Sequence, residues 1–234
     1  MFEMQYQTGF SDIDSSWHIR LSSIMDMLQD ISFSHISHMG FSPQRLADLN
    51  VACLLGGWRV RIEHPLDAKL PVRARVGVMD IGRCEAQRCY ELWQAGERRV
   101  IATAPWFTLD IGNRTIMRIP DFLRDAFEKI SGPDNGFPYM RQKPPEHSEY
   151  LGEYAVHRRD LDANGHMNNV RSIEAALEYL PEGSSVCELS VRYCKELIMG
   201  DVLSIYGASC DGEFHFEIQN QNKDLCVLIC AKYI

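Results

Sequence analysis

Five polar side chains crowd into eight residues of the C-terminal half: Asp162, Asn164, His166, Asn168 and Asn169. Histidine moves a proton near neutral pH, and a carboxamide can orient a water or a carbonyl. That combination suits acyl transfer to water, which needs an activated water, a grip on the carbonyl and stabilisation of the tetrahedral intermediate. If the segment is extended, alternation points Asp162, Asn164 and His166 to one side. Asn168 and Asn169 have a second reading, as the cap of a following helix. The first N–H groups of that helix are then candidate oxyanion donors.

The surrounding sequence predicts the elements that hold this cluster. A strand is expected over residues 3–10, then a polar turn from Ser11 to Ser16. Leu21, Ile24, Met25, Leu28, Ile31, Ile36 and Met39 follow on one apolar helical face, closed by Gly40. Four strand-like runs come next, at 51–64, 70–81, 86–95 and 98–110. In the second, Val72, Ala74, Val76 and Val78 alternate with Arg73 and Arg75. Residues 131–149, rich in Gly and Pro, read as a linker. The plan then repeats: a strand at 151–158, a helix at 168–180, and strands at 185–196, 200–209, 213–220 and 224–234. The predicted class is α+β, each half a curved antiparallel sheet against a helix.

The repeat is also visible in single residues. Asp12-Ile13-Asp14-Ser15-Ser16-Trp17-His18 lies over Asp160-Leu161-Asp162-Ala163-Asn164-Gly165-His166 at a shift of 160 − 12 = 148, with three identities in seven positions. Both segments immediately precede the predicted helix, so a duplication is the better reading. The first copy lacks the Asn and the Gly, and is expected to be inactive.

Composition narrows the function. A net charge of −8 argues against nucleic acid as a partner. The imbalance is uneven: residues 1–130 carry 15 basic and 16 acidic groups, the remainder 9 and 16. Arg59, Arg61, Arg73, Arg75, Arg98 and Arg99 are available as a basic patch for an acidic partner, or as solvated strand faces. No apolar run is long enough to span a membrane, and the N-terminus lacks signal-peptide features, so a cytoplasmic location is expected. Eight cysteines without metal-like spacing read as buried reduced thiols. His35 and His38 read as structural.

The run Asp160 to Val170 resembles the Asp-x-Asn-x-His-(Val/Met)-Asn-Asn signature of the acyl-acyl carrier protein thioesterases, the plant-type fatty-acyl enzymes and their bacterial relatives. Arg118-Ile119-Pro120 and Tyr193-Cys194-Lys195-Glu196-Leu197 resemble two further segments of that family, in the same order. The resemblance implies a tandem, or double, hot-dog fold: residues 1–130 an N-terminal repeat binding the acyl chain, and 150–234 a catalytic C-terminal repeat. It implies hydrolysis of fatty acyl-acyl carrier protein, with Asp162, Asn164, His166 and Glu196 catalytic. Asn168 and Asn169 fall beside them, as substrate-binding candidates. Met25, Leu28, Trp58 and Trp106 become candidate linings of an acyl tunnel, beside their ordinary reading as core. The family's cysteine falls on Leu197, which disfavours a covalent route and favours direct attack by water. Cys194, three positions earlier, is expected to face away.

The resemblance implies acyl carrier protein as partner, and no metal or organic cofactor. A coenzyme A thioesterase on the same scaffold would share the site. A non-catalytic acyl-binding module would not need all four of Asp162, Asn164, His166 and Glu196. A chain that already holds two repeats is compatible with a monomer or a homodimer.

Overall fold

The computed structural model describes residues 1–128, 132, 134–210 and 212–234. The chain divides into two compact units, Met1–Tyr139 and Met140–Ile234. Of the stretch expected as a linker, residues 131 and 133 lie outside the described residues. Phe137 is packed into the first unit, its carbonyl accepting a hydrogen bond from Thr103 Oγ1 at 2.6 Å. Residues from Met140 onward belong to the second unit, where Arg192 reaches the Gln142 carbonyl at 3.2 Å.

In the first unit, β1 (Phe2–Tyr6) is followed by α1 (Leu21–His38), α2 (Pro43–Asp48), β2 (Val51–Leu55), β3 (Gly57–Ile62), β4 (Val72–Ile81), β5 (Glu85–Gln94), β6 (Glu97–Asp110), β7 (Thr115–Met117) and α3 (Asp121–Glu128). The sheet is antiparallel in the order β1-β4-β5-β6-β3, with β2 and β7 also paired to the long β6. Ile24, Met25, Leu28 and Ile31 of α1 are fully buried, as are Val72, Ala74 and Val76 of β4. The period-3.6 face of the helix thus meets the period-2 face of the strand. β1 is shorter than expected. The expected strand 51–64 is two, divided at Gly56, where a Cβ would stand 2.5 Å from the Phe107 ring. Two short helices and β7 were not expected. Leu46 of α2 and Leu123 and Phe127 of α3 join Ile36, Val51, Val78, Ala86 and Ile119 in one buried cluster.

The second unit contains β8 (Glu149–Ala155), α4 (Asn169–Leu177), β9 (Val186–Tyr193), β10 (Val202–Cys210), β11 (Glu213–Gln219) and β12 (Leu225–Tyr233), in the sheet order β9-β12-β11-β10-β8. Val170, Ile173 and Ala176 of α4 are buried, along with Leu189, Val191, Leu203, Ile205, Phe216, Ile218, Val227 and Ile229 of the sheet. α4 has half the length of α1 and stops before Pro181, which disfavours helix at the residue preceding it. Both units are therefore hot-dog arrangements of helix on curved antiparallel sheet. All eight cysteines are free; Cys89 and Cys226 are buried, but Cys194 and Cys210 are exposed, contrary to the expectation for the set. No described helix is long and apolar enough to cross a membrane.

Candidate active site

The polar cluster is a tight loop, not an extended segment. A single turn, Arg158–Asp160, ends with the buried Asp160, whose carboxylate accepts from the His157 N–H at 2.8 Å. Leu161 and Met167 then pair across the loop, and the Asp162 N–H donates to the His166 carbonyl at 2.7 Å. The Asp162 Oδ1 accepts from two backbone N–H groups, of Asn164 at 2.8 Å and His166 at 3.1 Å. The first of these is an Asx-turn, and Gly165 closes the loop at φ +81°. Asp162 is thus the loop's internal brace. Its second oxygen, Oδ2, accepts from the Asn164 side-chain amide at 3.3 Å, leaving that residue exposed.

Glu196 is brought to this loop by backbone pairing. β9 ends at Tyr193, so the expected strand through 196 stops short. Cys194 and Lys195 both donate to the Cys226 carbonyl, and the chain then turns to lie along the loop. The Met167 N–H donates to the Leu197 carbonyl at 2.7 Å, and His166 bridges to Ile198. That register sets Glu196 Oε2 3.5 Å from His166 Nε2, with both side chains partly open to solvent. Lys195, the adjacent cation, pairs with Asp224. This pairing holds the Asp224 carboxyl below its ordinary range. Leu197 is buried. Because the strand has ended, alternation no longer decides where Cys194 faces; it is exposed.

Asn168 is the cap of α4, its Oδ1 accepting from the Val170 N–H at 2.8 Å. The Arg171 N–H is taken by the Asn168 carbonyl, and the Asn168 N–H by the Asp160 carbonyl. The N–H groups of Asn168, Val170 and Arg171 thus have partners within the chain, which narrows the candidate oxyanion donors at this helix entrance. Asn169 is half-buried at the first turn, and its carbonyl accepts from Ser172 Oγ at 2.7 Å and from the Tyr193 hydroxyl at 3.5 Å. Sequence reasoning did not single out Asp201. It is buried, accepts from the Ile198 N–H at 2.9 Å and from Gln221 at 2.8 Å, and so fixes the turn that carries Glu196. Its signal was only a Gly-Asp turn pair.

The first unit repeats the backbone bracing of this loop. Asp14 N–H donates to the His18 carbonyl, Asp14 Oδ1 accepts from Ser16 and His18, and Ile13 pairs with Ile19. Ile19 donates to Leu66 as Met167 does to Leu197, which makes Pro65 the counterpart of Glu196. Trp17 takes the left-handed position of Gly165, at φ 63°. The first loop keeps the brace and the histidine but has no carboxylate at 65 and no amide at 16.

The proposed acyl-lining residues lie elsewhere in that unit. Met25, Leu28 and Trp58 are fully buried, and Trp106 is half-buried. Trp58 packs edge-on to Tyr90 at 4.9 Å, and Tyr90 OH accepts from Trp106 Nε1 at 2.9 Å. Beside them, the fully buried Arg88 donates to His35 Nδ1 at 2.6 Å, so His35 is neutral with its proton on Nε2. Burial, then the Arg88 charge, lowers the His35 pKa to about 3. The arginines considered as a basic patch have internal partners. Arg75 pairs with Glu3 and Glu91, Arg98 with Glu63 and Glu91, and Arg99 with Glu97. Arg59 and Arg61 stack on Phe137, and Arg73 lies over Trp93.

Comparison with known proteins gives matches over both units. Residues 1–127 match the acyl-ACP thioesterase N-terminal domain, and residues 143–229 match the acyl-ACP thioesterase C-terminal domain. A curated relative, oleoyl-acyl carrier protein thioesterase 2, chloroplastic, from Arabidopsis thaliana, is 26% identical over 181 residues, 69% of this chain and 49% of the relative. The match thus spans about half of that relative's length. An acyl-ACP thioesterase structure from Bacteroides thetaiotaomicron superposes with a TM-score of 0.89 at 16% identity, covering 100% of this chain and 97% of the other. A 12:0-ACP thioesterase from Umbellularia californica gives 0.85 at 14% identity, covering 100% and 96%. At these identities the structures speak to the fold, a tandem hot-dog.

Proposed function

The chain belongs to the acyl-ACP thioesterase family, and from that premise we propose that it hydrolyses the thioester of a fatty acyl group carried on acyl carrier protein. The products are a free fatty acid and the carrier thiol, which ends chain elongation. The observation that carries this reading is the His166–Glu196 pair, 3.5 Å apart, with His166 on the loop braced by Asp162 that also carries the exposed Asn164, and Glu196 on the turn after β9.

In the proposed reaction the His166–Glu196 pair takes a proton from water as its oxygen attacks the thioester carbonyl. The Asn164 amide holds the water or the carbonyl oxygen, and Asp162 fixes that amide's position. Collapse of the tetrahedral intermediate breaks the C–S bond, and the proton passes to the departing thiolate. Leu197, buried and without a nucleophile, supports direct attack by water over an acyl-enzyme. Met25, Leu28, Trp58 and Trp106 of the first unit are the proposed acyl-chain contacts, with Asn169 the proposed polar contact near the thioester. Eight free thiols suit a reducing compartment, and the cytoplasm is the proposed location.

The test is fatty-acid release from a panel of acyl-acyl carrier proteins and matched acyl-coenzyme A substrates. Wild type is compared with His166→Ala and Glu196→Gln. The expected result is preference for carrier-protein substrates, with kcat lowered about 100-fold or more in each variant. Thermal midpoints should stay unchanged, because both side chains are partly exposed. Preference for coenzyme A would move the assignment to a different acyl handle, and acyl binding without turnover would overturn it.

A further inference from the structure

A second cluster in the second unit takes no part in this chemistry. Glu213 and His215 are two residues apart on β11, and so share a face. The β11–β12 register sets Cys230 directly opposite His215. The three donor atoms converge: Cys230 Sγ to Glu213 Oε2 is 3.2 Å, His215 Nε2 to Glu213 Oε2 is 3.7 Å, and Cys230 Sγ to His215 Nε2 is 3.9 Å. All three lie within 4.8 Å of one another.

We propose that Glu213, His215 and Cys230 form a binding site for one thiophilic divalent cation, and that Zn²⁺ is the ion this donor set takes. Zinc is bound by thiolate at about 2.3 Å and by imidazole nitrogen or carboxylate oxygen at about 2.0–2.2 Å, so a tetrahedron separates its donors by roughly 3.3–3.6 Å. The observed separations are within a few tenths of an ångström of that range, with no backbone movement required. One sulfur, one nitrogen and one oxygen select zinc over magnesium or calcium, which prefer oxygen alone. The Glu213 and His215 side chains are 41% and 26% exposed, which leaves an entry path and room for a water as fourth ligand. On binding, the Cys230 S–H proton leaves to solvent and the ion replaces the hydrogen bond to Glu213.

The neighbouring positions on this face carry one neutral, one cationic and one anionic group, so their charges cancel. Ser190 lies opposite Cys230, Lys232 opposite Glu213, and Glu188 opposite Lys232. Cys230 is four residues along β12 from Cys226, whose carbonyl anchors the Glu196 turn, a distance of roughly 13 Å at strand rise. The ion would pin β11 to β12 without entering the reaction.

The experiment uses full-length protein stripped of metal by chelator and dialysis, then titrated with Zn²⁺ and separately with Co²⁺. The expected outcome is one equivalent bound and a thiolate-to-cobalt charge-transfer band. The thermal midpoint should rise by several degrees with zinc. Cys230→Ser and His215→Gln should each weaken binding on the order of 100-fold and remove the zinc-dependent rise. Both replaced side chains are partly exposed, so the metal-free variants should melt as the metal-free parent does. Substoichiometric binding, a cobalt spectrum without the charge-transfer band, or variants that bind as tightly as the parent would overturn the proposal. Acyl hydrolysis is not part of the readout, so the two proposals stand or fall separately.

Discussion

At the scale of the residue, the same types do different work according to what surrounds them. Asp162, expected to align with Asn164 and His166, turns inward to brace its own loop. His166, partly exposed beside a carboxylate, is the histidine proposed to act on water, while His35, buried against Arg88, is held neutral. His35 makes a pH prediction. Its folded-state pKa of about 3 lies below the ordinary 6.5. It therefore adds no penalty above pH 6.5, and stability falls as pH drops from 6.5 toward 3, because only the unfolded chain takes up the proton. The slope from this one group is about 1.4 kcal/mol per pH unit. Urea unfolding at pH 7, 5.5 and 4.5 should show it, and His35→Gln should flatten the decline. An equal decline in that variant would assign the acid sensitivity to other groups.

At the scale of the element, the chain's patterns specified the strands and helices better than their ends. Alternation in Val72–Val78 and the apolar face of Leu21–Met39 are local signals, and both elements formed where expected. The limits of β9 and the position of Glu196 were not legible, because they depend on hydrogen bonds to Cys226 and Met167, far away in sequence. Helices α2 and α3 escaped notice for a similar reason: each is short and exists by covering the buried cluster around Ile36 and Ile119. The entrance of α4 allows a test of the two readings of Asn168. As a cap, Asn168→Ala should lower unfolding free energy by about 1 kcal/mol and leave KM for acyl substrates unchanged. A raised KM at unaltered stability would instead make it a substrate contact.

At the scale of the whole molecule, the tandem plan was readable because duplication leaves two independent records of one fold. The shift of 148 residues linked Asp14 to Asp162 and His18 to His166, and each pair makes matching bonds in its own unit. The Glu213–His215–Cys230 grouping was invisible by contrast, since only strand register brings Cys230 to its partners. Duplication also supplies a controlled comparison at the left-handed loop position. Trp17 is 62% exposed at φ 63°, so Trp17→Gly should raise stability by about 1 kcal/mol. Gly165→Ala should lower it by a similar amount. Chemical denaturation of both variants measures this, and opposite signs are required.

The paired loops have a consequence for how such a protein can change. Holding the loop is the task of the Asp14 or Asp162 carboxylate and of main-chain N–H groups, including those of residues 16 and 164, whereas the side chains that differ between copies, at 16 and 164 or at 65 and 196, supply none of these bonds. Architecture and the proposed reactivity are therefore written in different letters of the same short text. One copy can lose its chemistry by drift without any cost to folding, and an experimenter can randomise positions 163, 164 and 196 together and expect most of the library to remain folded.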